Sequence, residues 1–173
     1  RDSANILKYL GLAFNVSNVS NVVHVLTSYA LPLSGFSRPY ANGKHLAKEM
    51  VSGLQFLHNQ DLMHGLLSID SVFISRQGRH LIGEYGFSKT LLLNSLKTPF
   101  KKFSLQYPDA VKESGRYLDV LLLGHLIYHV SVGRKPESAY PSLPSHLDPL
   151  LLDFIKLCAV SYTHLTLPTI YSV

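Results

Sequence analysis

The sequence predicts an α+β domain, and three observations carry that prediction. The opening third is written in short β-branched and aromatic runs broken by turn residues. From Lys44 the apolar spacing switches to a helical period. The last third then holds two strongly apolar helical stretches. Of the 173 residues, 46% are apolar and only 16% charged, a balance of globular rather than disordered chains.

The elements follow in order. "ILKYLGLAF" and "NVVHVLTSY" are strand-like and flank an Asn/Ser stretch, which predicts a hairpin. "LPLSGFSRPYANG" is rich in Pro, Gly and Ser and reads as a linker with one helical turn at most. Leu46, Met50, Leu54 and Leu57 fall on one face, widened by Ala47, Val51 and Gly53, so Lys44 to His58 is expected to be a helix. After "LMHGLLSID" come "SVFIS" and "HLIGEYG", two short strands joined by a tight turn at "RQGR". Thr90 to Arg116 has no sustained period, as a functional or regulatory loop would have.

Leu118 to Val130 is apolar nearly all round and predicts a central buried helix stopped by Gly133 and Pro136. In "HLDPLLLDFIKLCA", Asp148 stands as N-cap and Pro149 at the first helical position, with Leu150, Leu151, Phe154, Ile155 and Cys158 as the apolar face. The tail "SYTHLTLPTIYSV" has no charged residue and no helical period. It reads either as an extension foreign to the domain or as a C-terminal strand. These boundaries divide the chain into 1–43 (strand hairpin and linker), 44–159 (mostly helical) and the tail at 160–173.

Composition narrows the function classes. The net charge of +5 is spread without a long basic run, so it does not mark a nucleic-acid binder. Lys97, Lys101 and Lys102 read as a solvated loop. The single Cys158 excludes an internal disulfide, suits a reducing compartment and sits among apolar neighbours as a core residue. Asn15 and Asn18 lie in glycosylation sequons, which matter only in the secretory pathway; no signal peptide is visible. The longest apolar run is interrupted by Asp119 and falls short of the roughly 20 residues that span a bilayer.

"LHNQDLMHGLLSIDSVFIS", "LIGEYGFSK" and "YLDVLLLG" stand in an order and at offsets that resemble the protein kinase fold. They match its catalytic loop, its metal-binding strand and the start of its central helix. The resemblance covers about residues 1–159 and implies a partial kinase-like fold, truncated at both ends: the end of the small lobe (1–43), a hinge, and a mostly helical large lobe from 44. Within that family it resembles the degenerate domain of the general-control kinase that phosphorylates the alpha subunit of translation initiation factor 2. That domain precedes an active kinase domain and stimulates it.

Carried onto this chain, the resemblance places the catalytic aspartate at Leu66, the loop lysine at Ser68 and the metal-binding asparagine at Ser71. Glu84 takes the place of the metal-binding aspartate, one methylene longer and a weak candidate cation ligand. The positions that hold the fold are implied at His64, Tyr85, Asp119 and Gly124, and Phe73 is placed to fill part of the adenine pocket. Thr90 to Arg116 would be the activation segment, with Tyr107-Pro108-Asp109 near its end. The Gly-rich loop and strand lysine would lie before Arg1.

The resemblance therefore implies a cytoplasmic pseudokinase domain without catalytic residues and with no cofactor expected, ATP and Mg²⁺ being left open because the elements that would bind the nucleotide precede Arg1. Its partner would be an adjacent active kinase domain in the same chain; no membrane, DNA or RNA partner is expected. An atypical active Ser/Thr kinase using Glu84, and an RNA-binding or scaffolding module, are the alternatives.

Overall fold

The computed structural model describes residues 3–16, 21–85, 115–138 and 140–170, with backbone alone from 161. Most of the expected activation segment, Tyr107 to Asp109, the three lysines and Asn18 lie outside the described residues. The order is two strands, a short strand, a helix, two strands and two helices.

Strands β1 (Tyr9–Val16) and β2 (Asn21–Thr27) form the expected antiparallel hairpin, with Leu12 opposite Val25 and Phe14 opposite Val23. It is a two-stranded ribbon, and Leu10, Leu12, Phe14, Val23 and Leu26 are all exposed on it.

A second sheet has the order β3–β4–β5, all antiparallel: Ala30–Pro32, Val72–Ser75 and His80–Ile82. The strand at Ala30–Pro32 falls inside the stretch read as linker. Its Pro32 lacks an N–H, which an edge strand tolerates because that side needs no ladder partner. Ile6 adds a parallel bridge to Ile82, so the residues before β1 run along the far edge of β5.

Helix α1 (Gly43–Asn59) buries Leu46, Met50, Leu54 and Leu57 against this sheet, each worth about 1.5–3 kcal/mol on leaving water. Gly53 lets the two layers meet: a Cβ there would stand 2.8 Å from Ile82 Cδ1 and 3.0 Å from the Asn5 carbonyl. Val51, expected on the same stripe, is exposed.

Helix α2 (Gly115–Val132) is buried on most sides. Gly133 ends it in the left-handed region (φ 86°), its N–H returning to the His129 carbonyl at 2.9 Å. Asp148 caps helix α3 (Pro149–Ile170) through the Leu150 N–H at 3.0 Å and holds Lys44 of α1 at 2.6 Å. Of the expected apolar face, Ile155 and Cys158 are buried, whereas Leu150 in the first turn is 66% exposed.

Of the two readings of the tail, the C-terminal strand is not what the backbone forms. The backbone of α3 remains helical to Ile170, through Pro168. Once a helix is nucleated, each further residue adds a hydrogen bond for one residue's ordering. Pro168 gives up its own backbone bond and crowds the carbonyl four residues earlier, a cost confined to the end of the helix.

Among the described residues, no helix is long and apolar enough to cross a membrane.

Candidate functional site

The loop between α1 and β4 is shaped by one buried carboxylate. Asp119, in the first turns of α2, is fully buried. Its Oδ2 accepts the His64 N–H at 2.8 Å and its Oδ1 the Gly65 N–H at 2.6 Å. The His58 ring, at the end of α1, reaches Oδ2 at 2.8 Å. Arg116, one turn earlier on α2, binds the His58 carbonyl at 3.0 Å and the Asp61 carboxylate at 2.7 Å. A cation against the last carbonyls of a helix is favourably placed in the helix dipole, so the end of α1 and the start of α2 are clasped together.

His64 carries the connection onward. The Leu66 N–H donates to its Nδ1 at 3.2 Å, so Nε2 bears the proton and donates to the Gly83 carbonyl at 2.8 Å. Burial pushes the pKa of His64 below its ordinary value, against the opposing effects of that hydrogen bond and of the Asp119 and Glu84 charges. The ring is a neutral strut between the loop and the end of β5.

Ser71 closes the loop from within. It is fully buried, its Oγ donates to the Ser68 carbonyl at 3.0 Å, and it accepts the Ser68 N–H at 2.9 Å. The Ser71 carbonyl takes the Gly83 N–H at 2.8 Å. A hydroxyl engaged on both sides in this way is committed to loop shape.

Leu66 points the other way, 38% exposed. A hydrocarbon there cannot accept a proton from a hydroxyl substrate. Ser68 is half-buried, and its Oγ accepts the Asp70 N–H at 3.2 Å. Glu84 is exposed, with its backbone at φ 57°. Among the described residues it joins no group of three or more His, Cys, Asp or Glu that could hold a metal ion.

The remaining predicted positions are packing contacts. Phe73 is half-buried, and its ring lies over Gly83, where a Cβ would stand 2.5 Å from its Cε2. Tyr85 donates to the Leu7 carbonyl at 3.2 Å and stacks on Tyr9, ring centroids 4.9 Å apart. Burial, and then the neighbouring Tyr85, push the Tyr9 pKa up to about 12. Gly124 brings α2 against α3: a Cβ on it would meet Cys158 Cβ at 2.7 Å. Cys158 itself is buried, and desolvation raises its thiol to about 12. It is not a nucleophile near neutral pH.

Sequence reasoning passed over two features. His58 is one; nothing in its local pattern announces a partner 61 residues away. The other is a polar group on the opposite flank of α1, where Tyr40, His45, Glu49 and His80 converge. The four-residue step from His45 to Glu49 was a legible signal of a shared helix face, but the third member arrives only through the β4–β5 turn.

No family model matches the chain. It is 28% identical over 149 residues to the eIF-2-alpha kinase GCN2 of Rattus norvegicus, covering 85% of this chain and 9% of that protein. It is 26% identical over 166 residues to the eIF-2-alpha kinase GCN2 of Homo sapiens, covering 89% and 10%. The mitogen-activated protein kinase kinase kinase A of Dictyostelium discoideum is 24% identical over 179 residues, covering 89% of this chain and 19% of its own length. The chain thus spans about a tenth of the eIF-2-alpha kinases that it matches. With its α+β architecture and its Asp119-anchored loop, it is a partial protein kinase-like fold that resembles the eIF-2-alpha kinases.

Proposed function

We propose that this chain is a catalytically inactive, kinase-like regulatory domain that stimulates an adjacent kinase domain of the same polypeptide. The setting is cytoplasmic signalling during amino-acid starvation. One observation carries the reading: the hydrogen bonds that shape the loop around Asp119 are complete, while the outward position of the catalytic base is occupied by Leu66.

Phosphoryl transfer depends on positioning and on charge facing the transferred group. Loss of a positioned base costs about 10²–10⁴ in rate. Here Ser68 supplies no cation either, and the Ser71 hydroxyl is engaged within the loop. What persists is a shaped surface, which suits contact with another domain and requires neither ATP nor Mg²⁺. The likeness to eIF-2-alpha kinases many times longer than this chain supports a neighbouring kinase as the partner; DNA, RNA and membranes have no part in the reading.

Two measurements test it. Extended upstream to a full kinase-like domain and incubated with ATP, Mg²⁺ and a generic Ser/Thr substrate, the chain transfers no phosphate above the blank, and Glu84→Gln changes nothing. Transfer abolished by Glu84→Gln would instead establish an atypical active kinase, with the exposed Glu84 as its metal ligand. Joined ahead of an active eIF-2-alpha kinase domain, the chain raises that domain's rate on its substrate; an unchanged rate removes the regulatory role.

A further inference from the structure

The polar group on the far flank of α1 is separate from the loop described above and is built differently. His45 and Glu49 are one turn apart on the same face of α1, and His80 opens β5 against them. Glu49 Oε2 lies 3.3 Å from His45 Nε2 and 2.6 Å from His80 Nδ1, and it also accepts the His80 backbone N–H at 2.8 Å. One ligand atom from each of the three residues lies within 4.8 Å of the other two. On the other edge of the His80 ring, Nε2 meets the Tyr40 hydroxyl at 3.0 Å.

The Glu49–His80 pair by itself is a satisfactory buried hydrogen bond. His45 is not needed for it. Its side chain is 58% exposed and its ring lies edge-on to that of His80, centroids 5.6 Å apart, while its Nε2 faces the same oxygen that His80 holds. Two ring nitrogens and a carboxylate oxygen, each within 4.8 Å of the other two, make a set of donors that one cation can gather.

We propose that His45, Glu49 and His80 form a binding site for a divalent transition-metal ion of the zinc class. Two imidazoles and one carboxylate, with a fourth position open to solvent, form the donor set that zinc takes in three-ligand sites. A tetrahedral ion with bonds of about 2.0–2.2 Å sets its ligands about 3.3–3.5 Å apart. The His45–Glu49 separation already fits, the His80–Glu49 separation has to open by about 0.7 Å, and the two ring nitrogens, now within 4.8 Å of each other, have to settle at the same spacing. The ion takes the place of the proton between Nδ1 and Oε2. The imidazole's N–H then resides on Nε2 and donates to Tyr40 Oη, the outer hydrogen bond that fixes ring orientation in such sites. Metal binding would tie α1 to the first residue of β5, at a distance from the loop that Asp119 shapes.

The test uses the whole 173-residue chain, stripped with a chelator and titrated with Zn²⁺ alone by calorimetry, and with Co²⁺ followed by visible absorption. The expected result is one ion per chain, a tetrahedral Co²⁺ spectrum and a higher melting temperature with Zn²⁺. His45→Ala and His45→Gln, both at an exposed position, should each weaken binding by about tenfold or more and remove the thermal shift. His146→Ala, at an exposed histidine elsewhere, should bind as the parent does. Absence of saturable binding overturns the proposal. So does binding that is unchanged in both His45 variants, since the ion would then be held elsewhere.

Discussion

The carboxylate of Asp119 receives the backbone N–H of His64 at 2.8 Å, across 55 residues of sequence. The same side chain takes the Gly65 N–H and the His58 ring. Asp119→Ala leaves these donors buried without an acceptor and is expected to cost about 3–5 kcal/mol. Asp119→Asn keeps one acceptor oxygen and should cost less. Urea denaturation of the two variants against the parent checks both the size and the order.

Gly124 and Gly115 make opposite predictions. A methyl at Gly124 would press on Cys158 Cβ, which is fixed to the backbone of α3, so Gly124→Ala should destabilise by about 1–3 kcal/mol. At Gly115 the obstacle is the side chain of Met63, which is 44% exposed and flexible. It can swing aside, and Gly115→Ala should stay within about 0.5 kcal/mol of the parent. Equal losses in thermal melts of the two would contradict this account of the α2–α3 contact.

Acid should weaken the fold through His64. Burial lowers its pKa in the folded chain, whereas the unfolded chain titrates near the ordinary value of about 6.5. Above that pH both states are neutral and this stabilisation is complete. Below it the unfolded state takes up the proton first, so stability falls until the pH has passed the depressed folded value. His129, also lowered by burial and then by Arg38 and Lys135, acts in the same direction. Urea midpoints should be level from about pH 8 to about 7 and decline steadily below about 6.5; a midpoint that rises on acidification would refute the assignment.

Introducing an acid at position 66 should change little. Leu66 is partly exposed and none of the loop's shaping bonds uses its side chain. Leu66→Asp is therefore expected to shift stability by no more than about 0.5 kcal/mol. It should also produce no phosphotransfer, because Ser68 still lacks a cation and Ser71 is still spent on the loop. Melting curves and a radiolabelled phosphate assay read the two halves of this prediction.

Much of the fold was legible because its signals are local. The 3.6-residue spacing of Leu46, Met50, Leu54 and Leu57 announced α1, and Asp148-Pro149 announced the start of α3. What escaped was set by distant partners. Ala30–Pro32 becomes a strand only because Phe73 to Ser75 lie beside it. Leu150 and Val51 are apolar by type but face outward, since burial depends on which neighbour reaches each face. At the loop, the resemblance alone set Leu66 where a kinase carries its catalytic aspartate. That the Ser71 hydroxyl is turned inward could be read only from the hydrogen bonds of the folded loop.

The way the loop is held has a consequence for the residue at position 66. Asp119, His64 and Ser71 grip main-chain atoms, so the loop keeps its course whatever side chain Leu66 presents outward. Folding therefore places little demand on the identity of the partly exposed residue at position 66. The side chain at that position can change without unsettling the backbone around it, and the shape of the loop stays open to more than one use.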